Sequence, residues 1–327
     1  MRSAGFILSL LALGGIVLCS IAFGVTDIPF RIVWHALFHN DGSNNDLIIR
    51  TARMPRAFIA AAVGASLAVA GAVMQVITRN PIASPSTLGV NSGAAFFIVI
   101  ATGWFGLASL QGATWVALAG AAVSGGIVFF LGSIGRDGMT PVKITLAGAA
   151  MTAFFSSLTQ GFMLADGKMF DQVLVWLVGS VAGREMDQLI TVLPYMSVGL
   201  VIALLLARHL NVLAMGDDVA QGLGQQTAHI KLFAAAAIIL LGGSSVAAAG
   251  PIAFVGIIVP HIVRYMVGKD YRWIVPYSAV YGALLLVAAD LGSRYIAMPK
   301  EVPVGVMTAV IGVPFFVYIA RKGRQES

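Results

Sequence analysis

The residues able to do chemistry are few, and their spacing excludes more than it supports. The five histidines and the single cysteine, Cys19, form no spaced set of the kind that holds a metal, and no HExxH occurs. No GxxxxGK[ST] occurs either: Gly167-Lys168 and Gly268-Lys269 lack both the following Ser/Thr and the upstream loop that would cradle a nucleotide. Val90-Asn91-Ser92-Gly93 offers a serine hydroxyl but no base to activate it, and reads better as a helix start. Asp290 is the main ionisable residue within an apolar run; one carboxylate at the edge of a span does not make a proton relay. His261, between Pro260 and Arg264, has the type of a haem or iron ligand. A lone histidine beside a helix-interrupting proline reads instead as a hydrogen-bonding partner for the freed backbone. Cys19 lies inside an apolar run and reads as a buried thiol with no disulfide partner. With no site to harvest ATP and little to harvest an ion gradient, any uphill work must be powered by a partner.

The elements that position these residues are dictated by composition. The chain is 58% hydrophobic and 10% charged, with a mean hydropathy of +0.90. Soluble domains carry about 25% charged residues, so this is an all-α polytopic membrane protein. Its 37 glycines suit close helix packing through small residues. A bilayer needs about 20 apolar residues per helix. The apolar runs lie at roughly 5–24, 57–78, 92–108, 113–134, 143–164, 188–207, 231–249, 252–268, 273–291 and 303–320, which predicts about ten spans in one permease domain covering 1–327. The first run lacks a clear cleavage site and reads as a span, not a signal peptide. Segment 172–183 is apolar but too short to cross, and reads as re-entrant or interfacial. The larger share of the 20 Lys and Arg residues falls on one side, Arg2, Arg79, Arg208, Lys231, Arg264 and Arg272 among them. That side is read as the cytosol, with both termini in it.

The longest polar interval in the second half, 208–231, therefore faces the cytosol. Within it Met215, Val219 and Leu223 recur every four positions; Asp217 and Asp218 suit a helix N-terminus, and Gly224 suits its stop. A short helix presenting an apolar stripe to water offers a surface to dock on. A second informative stretch runs from Arg53 to Gly93. Pro55 starts a span, Gly64, Ala68 and Gly71 form a small-residue face, and Pro81 and Pro85 break the chain before the next span. Asn80-Pro81-Ile82-Ala83 and Gly250-Pro251-Ile252-Ala253 follow spans of opposite direction, as an inverted repeat would place them. Met74 and Gln75 are candidates for the wall of a pathway.

RMPR (53–56), GASLAVAGAVMQ (64–75), RNPIASPSTLGV (79–90), MGDDVAQGLG (215–224) and GPIAFVGIIVPHIVR (250–264) together resemble the permease subunits of ABC importers for iron–siderophores and cobalamin, the FecCD-like family. The resemblance covers most of the chain. It implies the inverted-repeat permease architecture of that family, in the bacterial cytoplasmic (inner) membrane. The implied partners are a second permease (identical or paralogous), a dimer of cytosolic ATPase subunits and an extracytoplasmic substrate-binding protein. By the same resemblance Gly216, Asp217, Asp218, Ala220, Leu223 and Gly224 belong to the helix that couples to the ATPase, while Arg53, Arg56 and Arg294 are outer-face arginines that receive the binding protein. This chain would bind no cofactor or metal; ATP and Mg belong to the ATPase. The implied cargo is ferric siderophore, with cobalamin or haem as alternatives. A proton-coupled secondary carrier is the alternative from a different class.

Overall fold

Backbone amides in lipid have no water to bond, so runs this apolar must satisfy themselves as helices. The computed structural model describes residues 2–24, 28–29, 31–34, 42–107, 109–135, 139–165, 176–298 and 300–323. Its helices are α1 (Arg2–Ala22), α2 (Asn44–Ile48), α3 (Met54–Ile77), α4 (Val90–Gly103), α5 (Leu110–Ser133) and α6 (Pro141–Ala165). They are followed by α7 (Met186–Leu213), α8 (Asp217–Gly222), α9 (Thr227–Ala249), α10 (Val255–Val267), α11 (Tyr271–Ile296) and α12 (Val304–Gly323). A π-helical turn, Ile49–Arg53, joins α2 to α3, and a 3-10 turn, Pro85–Leu88, precedes α4.

Among the described residues seven helical stretches are long and apolar enough to cross a membrane: α1, Asn44–Ile77, α5, α6, α7, α9 and α11. Val90–Gly103, Val255–Val267 and Val304–Val317 are apolar but shorter. These elements coincide with the ten apolar runs, and the short ones explain the weak third run. Two boundaries differ: the helical stretch of the second span begins at Asn44, well before its apolar run, and α7 continues to Leu213, carrying Arg208 and His209 on an extra helical turn. Lipid-like runs end where charge begins, but a helix is free to continue into water.

The bundle is organised around α3, whose last turns are almost wholly buried. Its small-residue face does what its spacing predicts. A Cβ on Gly64 would fall 2.2 Å from the carbonyl oxygen of Gly282 in α11, and one on Gly71 would fall 2.0 Å from that of Gly256 in α10. Backbone thus meets backbone at two levels of one helix, as membrane packing through small residues requires. α3 and α11 run antiparallel: Arg56 meets Asp290 at one end, and Gln75 near the other end of α3 meets Arg264, beside Tyr271 at the start of α11. Charged side chains consequently gather at two opposite ends of the bundle.

The two Pro-Ile-Ala segments have related local geometry. Each follows a long helix and leads through a left-handed residue, Gly89 (φ +70°) or Phe254 (φ +69°), into a short helix of 14 or 13 residues. This supports the repeat read from the sequence. Residues 172–175 lie outside the described residues. The rest of that segment packs between two helices: Ser180 N–H donates to Ala249 O (2.8 Å) and Gly305 N–H to Gly179 O (3.1 Å). One expectation is corrected: Cys19 is exposed, because α1 lies at the edge of the bundle and turns this face outward.

Replacing Gly64 or Gly71 with Leu is expected to abolish the folded protein, because the obstruction is backbone and cannot rotate away. Overpacking ordinarily costs about 1–3 kcal/mol, and here no rotamer relieves it. Gly14→Leu, where a Cβ meets nothing within 4 Å, should leave folding intact. Size-exclusion profiles and thermal unfolding in detergent check both.

Candidate coupling helix, arginine cluster and central cleft

α8 is built by three local devices. Gly216 precedes it at φ 124°, ψ 152°, a backbone state that disfavours any side chain. Asp217 and Asp218 occupy its first turn, where the exposed amides favour negative charge. Gly224 (φ +78°) closes it: its N–H donates to Gln221 O and the N–H of Gln225 to Ala220 O, the two bonds of a glycine-terminated helix end. Ala220 is buried and seats the helix on the bundle, while Met215 (66% exposed), Val219 (44%) and Leu223 (66%) face away from it. The expected apolar stripe is therefore present, and it stands at an end of the bundle rich in charge.

Asp217 does not share that outward face. Its Oδ2 lies 3.1 Å from Arg79 Nη2 and its Oδ1 2.9 Å from Lys231 Nζ, and Lys231 also donates to Met139 O at 2.6 Å. Asp218 is exposed. At the same end Asn211 of α7 donates to Asp270, the N-cap of α11, and accepts from Tyr271 N–H, both at 2.7 Å. The hydrogen bond from Arg272, helped by that from Asn211, holds the Asp270 carboxyl down at about 2.

At the opposite end two of the three arginines are turned inward. Arg53 is 6% exposed and donates through Nη1 to Ile21 O (3.1 Å) and Ala22 O (2.6 Å). Arg294 is 2% exposed; it donates to Ser20 O and Phe23 O, each at 2.7 Å, and pairs with Asp290 at 2.7 Å. Both arginines thus cap the end of α1. The last four carbonyls of a helix have no partner of their own, and within lipid they must find donors in the protein. Arg56 alone approaches the surface, pairing with Asp290 (2.9 Å) and with the part-exposed Glu301 (2.5 Å). Asp290, 1% exposed, is the shared counter-charge. Sequence reasoning set Asp290 aside; its spacing of four from Arg294 on one helix was the available signal. Glu301 carried no signal.

The pathway candidates also differ in place. Met74 is fully buried, and Gln75 donates to Gly256 O (3.2 Å) and accepts from Arg264, so both serve packing within the chain. His261 is half-buried, edge-on to Phe315 with ring centres 5.7 Å apart. A cleft of about 350 Å³ opens nearby instead, lined by Asn80, Ile82, Ser86, Thr145, Phe254 and Phe316 among others. Both Pro-Ile-Ala segments contribute to it, through Asn80–Ala83 and through Ala253. The mixture of hydroxyls, an amide and aromatic rings offers weak and varied contacts.

The long apolar helices, the two polar ends and the exposed short helix define a multi-pass membrane protein. Comparisons agree. The chain matches the FecCD transport family over residues 10–322. It is 53% identical over 307 residues to the "Probable siderophore transport system permease protein YfiZ" of Bacillus subtilis, covering 94% of this chain and 92% of that one. It is 46% identical to the Fe(3+)-citrate import system permease protein YfmD of the same organism, with coverages of 93% and 90%. It is 40% identical to the ferric enterobactin transport system permease protein FepD of Escherichia coli, again over 93% and 90%. A solved structure of "a putative metal-chelate type ABC transporter" in an inward-facing conformation superposes with a TM-score of 0.85 at 26% identity, over 98% of this chain and 100% of that one. This chain belongs to the FecCD transport family. It is a permease subunit of an ABC importer and not itself the ATPase; as such it works with ATPase, binding-protein and second-permease partners.

Removing the shared carboxylate should expose the cost of the arginine cluster. Asp290→Ala leaves the buried Arg294 guanidinium without its counter-charge and Arg56 with Glu301 alone, a loss of about 3–5 kcal/mol for a broken buried pair. Glu301→Gln, at a part-exposed pair, is expected to cost no more than about 1 kcal/mol. Thermal unfolding of the two variants in detergent should separate them clearly.

Proposed function

We propose that this chain is one of two permeases that carry a ferric siderophore from an extracytoplasmic binding protein to the cytosol. The observation that carries the reading is α8: a six-residue helix seated by Ala220 with its apolar stripe turned outward. An exposed apolar patch ringed by charge marks a protein-interaction surface. Its residues are those of the coupling motif, so the partner is the ATPase, which holds the ATP and Mg; this chain binds neither. α8 then marks the cytosolic end, which puts Arg2 and the end of α12 in the cytosol, in keeping with the Lys/Arg bias. The arginine end faces outward. Arg56 and Glu301 are its surface pair, and they are the groups offered to the binding protein, while Arg53 and Arg294 hold the helices beneath. Exposed pairs of this kind are worth about 0.2–1 kcal/mol each, enough to orient a partner that must leave again.

The cargo is assigned from the relatives, which are named as siderophore, ferric citrate and ferric enterobactin permeases. The cleft suits a solute that must be released: it has no charged lining residue among those described, and its polar groups are hydroxyls and one amide. Cells lacking the gene should fail to take up radiolabelled ferric siderophore and retain uptake of cobalamin and haem. Loss of cobalamin uptake alone would overturn the cargo assignment. Leu223→Asp, which puts a charge on the outward stripe, is expected to abolish co-purification of the ATPase and to abolish uptake without lowering the amount of permease in the membrane. Uphill uptake by the isolated chain in vesicles would overturn the importer reading itself.

A further inference from the structure

We propose that Asp217 is a positioning residue that ties α8 to two walls of the cleft lined by Asn80 and Thr145, and is not a contact for the ATPase. The proposal rests on the reading of α8 as the coupling helix. Asp217 lies in the first turn of α8, yet its two carboxylate oxygens are each committed inward, Oδ2 to Arg79 and Oδ1 to Lys231. The first arm leads to one wall. Arg79 is followed directly by Asn80, which lines the cleft and whose Oδ1 accepts from Ile82 N–H at 3.0 Å, so residues 80–82 form one locally bonded unit. The second arm leads to another wall. Lys231, itself buried, donates to Met139 O at 2.6 Å, and Met139 stands just before α6, which brings Thr145 to the cleft one turn further on.

Arg79 has a second unusual property. It holds φ +48°, a left-handed state that costs a non-glycine residue energy and that surrounding contacts must maintain. The ion pair with Asp217 is one such contact. A displacement of α8 therefore pulls on the residue whose backbone is already away from its preferred state, one position before the cleft. The outward residues in and flanking α8 (Met215, Asp218, Val219 and Leu223) remain for the ATPase, so grip and transmission are divided between two sides of one short segment.

The test uses the assembled permease–ATPase complex with its binding protein in proteoliposomes, in a Cys19→Ser background. Arg79 is part-exposed, so Arg79→Ala should fold and assemble. It is expected to hydrolyse ATP within about twofold of the parent while cargo moved per ATP falls on the order of tenfold, a usual size for coupling between sites. Asn80→Cys should change its reactivity toward a water-soluble maleimide when ATP is added, and Arg79→Ala should remove that change. Adding Asp217→Ala to Arg79→Ala should lower transport no further than Asp217→Ala does alone, because the two groups act through one link. Unchanged transport per ATP in Arg79→Ala, or equal loss of ATP hydrolysis and transport, overturns the proposal. The coupling reading beneath it is checked separately: if Leu223→Asp still assembles with the ATPase, that reading fails whatever Arg79→Ala does.

Discussion

A backbone carbonyl surrounded by lipid must find its donor inside the protein, and much of this molecule follows from that constraint. Within a helix the requirement is met automatically. At the end of α1 it is not, and two arginines from distant parts of the chain are drawn in to meet it. Burying one of those cations, Arg294, then demands a counter-charge, which Asp290 supplies to it and also to Arg56. One unmet hydrogen-bonding need thus locks α1, α3 and α11 together. α3 and α11 are also held lower down by the approach of Gly64 to Gly282, so close that no side chain could intervene.

The opposite end uses charge for a different purpose. There the Arg79–Asp217 pair is partly exposed and weak, with 44% and 23% of the two side-chain surfaces open. Weak pairs suit a part that must move and return, whereas the buried cluster suits a part that must not. The short helix between them presents apolar surface to water, a standing cost that a bound partner would relieve.

Much of the fold was legible from the residues alone. Apolar length announced each span, and the glycine face of residues 64–71 announced how one of them packs. The outline of α8 was readable because caps, dipole complements and a four-residue apolar spacing are all local signals. The arginines were not readable in the same way. RMPR and Arg294 carry the type of residue that meets a partner, and only the position of α1's last carbonyls turns Arg53 and Arg294 inward. The burial of Met74 and Gln75 was not readable for a related reason: a helix that is apolar all round gives no sign of which face packs inward. Glu301 joins Arg56 across 245 positions of sequence, a distance over which no pattern carries information.

What the sequence by itself determined was a membrane-spanning helical chain, with no nucleotide or metal motif of its own and a capped helix at one end, because those properties depend on composition and on neighbours a few residues apart. What the tertiary structure alone decided was the direction each charged side chain takes. Asp217 and Asp218 are adjacent and chemically identical, yet one is gripped by Arg79 and Lys231 while the other stays exposed. The physical reason is that successive residues on a helix point about 100° apart. Which of the two meets the bundle depends on where the ends of α3 and α9 stand, and packing sets those positions.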